Sequence, residues 1–299
     1  MKVYCVCRSH EHAQEIESPL QSTIVISTAF FFVFASFMSI QALQSSLNIE
    51  AGLGVKSLAC LYSTCIVSSL LSPTFIKVFG GKLTVVGAFI CHTIYTISNF
   101  YPRFYTLIPS SLLLGMATGP LWTAQNLYIT ASASRIAKKH NKDLMHVLNK
   151  HNGIFFSLTG LAFALGSIVS SVIFRHDINI YSNDNVTKLC GHFEPISPIE
   201  EPSSNSSHVM NLNLKPNSEF LLQLFSVYLG FDVIGVTITI LLLPTLPLSD
   251  WIKKKSVLKS IYSMISSLSN AKLLLFLPMP VAVGVQRLVL ISDFTRVNK

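Results

Sequence analysis

Few residues in the apolar parts of this chain have side chains able to move a proton, bind an ion or hold a polar partner. Asp232 is the first of them. It sits in the run VYLGFDVIGV at 227–236. A charged Asp at the centre of a bilayer costs about 2.5–3.5 kcal/mol on insertion scales, so such an acid is a functional candidate by default. Two readings stand for it: a proton, ion or partner role, or a neutral, hydrogen-bonded acid turned toward neighbouring helices. Arg287 lies toward one end of another apolar stretch, close enough to that end to snorkel, and an Asp232–Arg287 pair is a testable expectation. Trp122, Gln125 and Asn126 are three and four residues apart, a spacing that lets one helical face present all three. Such groups act as interhelical glue at roughly 0.6 kcal/mol each, or line a cavity; glue is the expectation. Gln41 and Gln44 form a similar pair. His92 has the chemistry of a pH switch, although a lone histidine in an apolar helix more often makes a quiet hydrogen bond.

These residues are positioned by seven long apolar stretches, near 23–43, 57–78, 83–99, 106–130, 153–174, 220–243 and 272–291. A helix needs about 20 apolar residues to cross roughly 30 Å of hydrocarbon, and its backbone groups must be satisfied internally. Charged residues make up 12% of the chain, against about 25% in soluble domains, and mean hydropathy is +0.52. The stretches are apolar all round, not striped as in a soluble helical protein. The sequence therefore predicts an all-α, multi-pass membrane protein. Gly115 and Gly119 form a GxxxG, and Gly160, Ala164, Gly166, Ser167, Ser170 and Ser171 recur in the fifth stretch. Small residues of this kind permit close helix approach.

The net charge of +8 does not make this a nucleic-acid binder, because the basic residues follow the gaps between spans. With the N-terminus inside, the inner segments carry 14 Lys+Arg and the outer ones seven, with Arg287 inside the seventh span. That bias predicts a cytosolic N-terminus. The runs at 138–140 and 253–255 then lie beside the anionic leaflet. The segment 175–219 becomes an outer loop, polar and without periodicity. It holds two N-glycosylation sequons, at Asn185 and Asn205. Cys190 stands alone there, and no disulfide framework is evident. His140, His146 and His151 in the inner gap 131–152 read as solvated, with no metal site expected. The first 22 residues lack the apolar core of a signal peptide.

Catalytic signatures are missing: no Walker loop, GxGxxG, HExxH, CxxC pair or nucleophile elbow occurs. No enzyme activity, cofactor or metal is expected. The partners expected are the lipid bilayer and another membrane protein, with self-association as a further option.

Particular motifs carry a resemblance. The stretches QALQSSLN at 41–48, GLGVKSLACLYSTCIVSSLLSP at 52–73, YTLIPSSLLLGMATGPLWTAQNLYIT at 105–130 and NKHNGIFFSLTGLAFALGSIVSSVIF at 149–174 resemble the uncoordinated-93-like branch of the major facilitator superfamily, of the homologue A type. SDFTR at 292–296 is similar to that branch's acid–aromatic–Thr–basic signature. The resemblance implies a major-facilitator-like bundle. Residues 1–22 would be a cytosolic tail, and 23–243 the N-terminal six-helix half with its outer loop. Residues 244–271 would be a basic cytosolic linker, and 272–299 a seventh span and the C-terminal end. It also implies accessory proteins more than transporters: one type regulates a two-pore potassium channel, and another escorts Toll-like receptors from the endoplasmic reticulum. The plasma membrane is the expected location. Pro73, Gly80 and Lys82 fit the superfamily's frame after span two, but Lys77 stands where an acid is usual. The chain ends at Lys299, so a twelve-span plan would be truncated here.

Two functions follow as expectations. The first is an accessory or regulatory membrane protein acting on an ion channel or a receptor. The second is a secondary transporter of a small solute, proton-coupled through Asp232, which would need both bundles for alternating access.

Overall fold

The computed structural model describes residues 19–48, 52–181 and 218–246, with single helical positions at 262, 266, 275, 278, 279, 282 and 284. Five helices follow in order: α1 (Pro19–Leu47), α2 (Leu53–Ser98), α3 (Phe104–His140), α4 (Leu144–Tyr181) and α5 (Ser218–Leu242). All five are long and apolar enough to cross a membrane, and no strand occurs among the described residues. This is the all-helical membrane architecture the apolar stretches demand. The tail 1–18, both sequons, Arg287 and most of 272–291 lie outside the described residues.

The helix α2 supplies two of the expected spans. Its 46 residues would run about 69 Å as one straight rod, more than twice the hydrocarbon thickness. Gly80 breaks the rod with φ 77° and ψ 170°, a conformation essentially closed to residues with a Cβ. The chain turns back there. Gln41 of α1 donates to the Tyr62 hydroxyl on the 53–79 limb, while Phe37, one turn earlier on α1, packs edge-on against Tyr95 of the 81–98 limb at 6.4 Å. On a straight helix Tyr62 and Tyr95 would be about 50 Å apart. Gly81 then lets α3 close in: a Cβ there would lie 3.2 Å from the Tyr128 ring.

At the centre stands α1, which touches all four other helices and carries no charged residue. Ile26, Phe30, Val33, Phe34 and Ile40 are buried along it. Phe30 meets Phe34 at 5.1 Å, Phe89 of α2 at 5.3 Å and Phe155 of α4 at 5.0 Å. Stacked and edge-to-face ring pairs of this kind contribute about 0.5–1.5 kcal/mol beyond their buried area.

The GxxxG of α3 faces the first limb of α2. A Cβ on Gly115 would collide with Leu61 and Thr64, and one on Gly119 would sit 2.5 Å from the Ser69 backbone nitrogen. Ser68 exploits this approach and donates to the Gly115 carbonyl at 2.9 Å. The small residues of α4 are not one packing face, contrary to expectation. Gly166 abuts Ala35 and Ser39 of α1, and Ser170 is also buried, one turn on. Gly160, Ala164, Ser167 and Ser171 are exposed, because rotation of about 100° per residue carries them off that face.

The expected inner gap 131–152 is mostly helix. Between α3 and α4 lie only residues 141–143. Asn141 ends α3 in the left-handed region at φ 48°, and the Lys142 N–H bonds the Ala137 carbonyl at 3.0 Å. Lys138, Lys139 and His140 fill the last turn, where positive charge is favoured. Asp143 accepts the His146 N–H at 3.1 Å, which caps the start of α4. The helices continue past the apolar stretch because Ala133 and Ala137 still pack on Val147.

The tight seam gives a direct test. Gly119→Val should lower the stability of the detergent-solubilised protein by about 1–3 kcal/mol or abolish folding, whereas Gly160→Val, whose Cβ meets nothing within 4 Å, should change thermal unfolding little.

Candidate functional site: a buried acid held by three helices

Most hydroxyls in the bundle bond a carbonyl of their own helix, as Ser27 does with Thr23, Ser72 with Ser68 and Thr118 with Leu114. This local bonding satisfies a hydroxyl without help from a neighbour. A few side chains reach across instead, and two of them meet at Asp232.

Asp232 of α5 is fully buried. Its Oδ1 accepts from Ser36 of α1, and its Oδ2 accepts from Thr96 of α2 at 2.5 Å. One carboxyl therefore joins α1, α2 and α5. One turn before it on α5, the Tyr228 hydroxyl lies 2.6 Å from Ser170 Oγ and donates to the Gly166 carbonyl at 3.1 Å. This adds α4 to the same layer.

Each clasp hydroxyl has a second acceptor in reach. Ser36 Oγ lies 2.9 Å from the Val33 carbonyl, and Thr96 Oγ1 lies 3.2 Å from the His92 carbonyl. A hydroxyl has a single hydrogen. Both hydroxyls donate inward only if Asp232 is an acceptor at both oxygens. If Asp232 carries a proton, it donates to one hydroxyl, which turns its own hydrogen to the backbone. Either pattern is complete with the heavy atoms unmoved.

The other sequence candidates divide. Gln41 and Gln44 are buried and join α1 to the first limb of α2, through Tyr62 and through Ser57 at 3.4 Å. Trp122 packs on Phe30, Phe34 and Phe155 at 5.8, 5.4 and 6.2 Å. Gln125 is buried, with no partner for its Nε2. Asn126 is exposed, so the three do not share one environment. Gln125 and Asn126 are about 100° apart on the helix, and only the Gln125 side enters the bundle. The lone-histidine expectation also needs correction. Neither ring nitrogen of His92 has a hydrogen-bond partner, and its ring stacks on Phe37 at 5.0 Å. His151, expected to be solvated, is buried and meets Thr23 of α1 through its Nδ1 at 2.7 Å; His140 and His146 are exposed. Asp232 finds hydroxyl partners within the described bundle, and Arg287 lies outside the described residues. No metal-binding group occurs among the described residues.

Sequence reasoning missed Ser36 and Thr96. Ser and Thr are too frequent in these spans for type alone to single them out. A weaker signal did exist: His92, Tyr95, Thr96 and Asn99 follow the i, i+3, i+4, i+7 spacing of one helical face.

Comparison with known proteins agrees with this architecture. The family described as "Ion channel regulatory protein UNC-93" matches residues 45–296. The Xenopus laevis protein unc-93 homolog A is 32% identical over 93% of this chain and 60% of its own length. The Mus musculus protein unc-93 homolog A is 32% identical over 77% of this chain and 49% of its own. A Caenorhabditis elegans relative, named "Putative potassium channel regulatory protein unc-93", is 29% identical over 96% of this chain and 41% of its own length. The chain spans about half the length of these curated relatives.

If the Asp232 clasp couples three helices, its members should not act independently. Thr96→Val and Ser36→Ala should each cost about 1–2 kcal/mol. In a double-mutant cycle with Asp232→Asn, followed by thermal unfolding in detergent, the coupling energies should reach about 0.5–3 kcal/mol.

Proposed function

The chain belongs to the UNC-93 family, and from that premise we propose that it acts as an accessory membrane protein that regulates a partner channel, a potassium channel being the first candidate. It does so by docking apolar helix faces against the partner within the bilayer, with its N-terminus in the cytosol and its site of action at the plasma membrane. The observation that carries this reading is where the polar groups point. Asp232, Gln41 and Gln44 bind other helices of their own bundle, as a packed scaffold requires. The first limb of α2 meanwhile turns Val55, Ile66 and Val67 outward, at 61%, 69% and 59% exposure. The printed name of the nematode relative supports the choice of a potassium channel.

A second reading, secondary transport, draws on one observation: Asp232 is a buried acid in an apolar helix, the kind of group that marks proton relays and ion pathways. Receptor escort remains within the accessory reading, with a receptor in the place of the channel.

Co-expression separates these readings. The accessory reading expects the current or surface density of a two-pore potassium channel to change when the chain is present, with no solute uptake. The double variant Ile66→Ala, Val67→Ala should weaken that effect while leaving the chain's own thermal unfolding within about 0.5 kcal/mol, as for surface substitutions. Unchanged currents, together with solute uptake abolished by Asp232→Asn, would overturn the accessory reading in favour of transport.

A further inference from the structure

One face of the second limb of α2 and its C-cap carries His92, Tyr95, Thr96 and Asn99 at i, i+3, i+4 and i+7. All four are buried, at 2%, 1%, 1% and 2% exposure. Only Thr96 is fully engaged, with Asp232. Both His92 nitrogens and Asn99 Oδ1 have no hydrogen-bond partner, and the Tyr95 hydroxyl, near Ser57, makes no well-formed bond. Asn99 uses only its Nδ2, which donates to the Tyr95 carbonyl at 2.7 Å. Gln44 Oε1, buried on α1, is likewise unpartnered. A buried polar atom without a partner costs about 1–3 kcal/mol, and ordered water is the usual remedy. Here such atoms form a line on one helix face, not a scatter. The line ends at the 99–103 turn between α2 and α3, where Tyr101, Arg103 and Tyr105 are exposed.

We propose that Asp232, Ser36 and Thr96 form a proton-binding site, reached from the 99–103 end of the bundle by water ordered along the face of His92, Tyr95, Thr96 and Asn99. The ligand is the hydrated proton. Uptake forms an O–H bond on one Asp232 oxygen and leaves a water molecule behind. That oxygen then donates to the hydroxyl it formerly accepted from, and the hydroxyl turns its hydrogen to the Val33 or His92 carbonyl. Release reverses these steps. The carboxyl stays bonded to both hydroxyls in either state, so the site exchanges a proton without opening the clasp, and what changes is the charge at the junction of α1, α2 and α5. Few other titratable groups face this junction. The helix α1 carries none; the second limb of α2 carries Lys82, Cys91, His92 and Tyr95; α5 itself carries Glu219 in its first turn and Tyr228, held by Ser170; the described side chains of α4 carry His146, Lys150 and His151, all in its first turns. The site is independent of which partner the protein regulates.

Infrared difference spectroscopy on the full chain reconstituted in lipid tests this directly. The expected result is a carboxylic-acid carbonyl band that shifts in heavy water, disappears as pH rises and is absent from Asp232→Asn. Thr96→Val and Ser36→Ala should move its frequency, which assigns the band even if Asp232→Asn fails to fold. His92→Phe and Asn99→Leu should slow its response to a pH jump several-fold. No band that these substitutions remove or move, or one indifferent to pH, would overturn the proton site. Unchanged kinetics in His92→Phe and Asn99→Leu would overturn the route.

Discussion

A polar side chain in the apolar interior of this bundle has to find its partner on the same chain, because hydrocarbon offers none. That constraint organises the fold more than any preference of one helix for another. Most Ser and Thr hydroxyls meet it locally, by bonding the carbonyl a turn before them. A carboxyl has no such local solution when four carbonyls, not four donors, surround it in its own helix. Asp232 must therefore take its donors from other helices, and it takes one from α1 and one from α2. A single acid fixes the register of three helices. Tyr228 and Ser170 extend the same layer to α4.

Close approach is the second requirement. Bonds between side chains as short as Ser and Asp form only where backbones come near each other. The glycines provide for this at Gly166 against Ala35 and at Gly235 against Ala29 and Val33. Both contacts are made by α1, which explains why the central helix carries no charge and so many small residues. On the other side of the bundle, Gly115 and Gly119 lay α3 on the first limb of α2, and Gly80 turns that limb back on its partner. The bundle is thus drawn together by glycine contacts and given its register by a few buried polar bonds.

The apolar core of each described helix was legible in the sequence, because length and hydropathy are properties of a segment alone. The turn at Gly80 was also legible, since two glycines interrupt an apolar run too long to cross once. The extension of α3 and α4 past the apolar zone was not, because polar residues at 131–140 read as a gap until Ala133, Ala137 and Val147 are seen to pack together. Asp232 stood out by its type. Its partners did not, because the identity of the Ser and Thr that meet it depends on how α1 and α2 are rotated about their axes. Asn126 and Gln125 show the same limit: adjacent in sequence and alike in chemistry, they are separated by rotation into outside and inside.

The central claim is that Asp232 of α5 sits directly against Ser36 of α1. Cysteine cross-linking measures that contact in the membrane itself. In a background with the six native cysteines replaced, the pair Ser36→Cys and Asp232→Cys should form a disulfide under mild oxidation, since a hydrogen bond between two side chains this short brings their backbones to about the separation a disulfide spans. Ser36→Cys paired with Val233→Cys, whose side chain is exposed and turned about 100° away round the helix, should not. Failure of the first pair, or equal linking of both, would contradict the account.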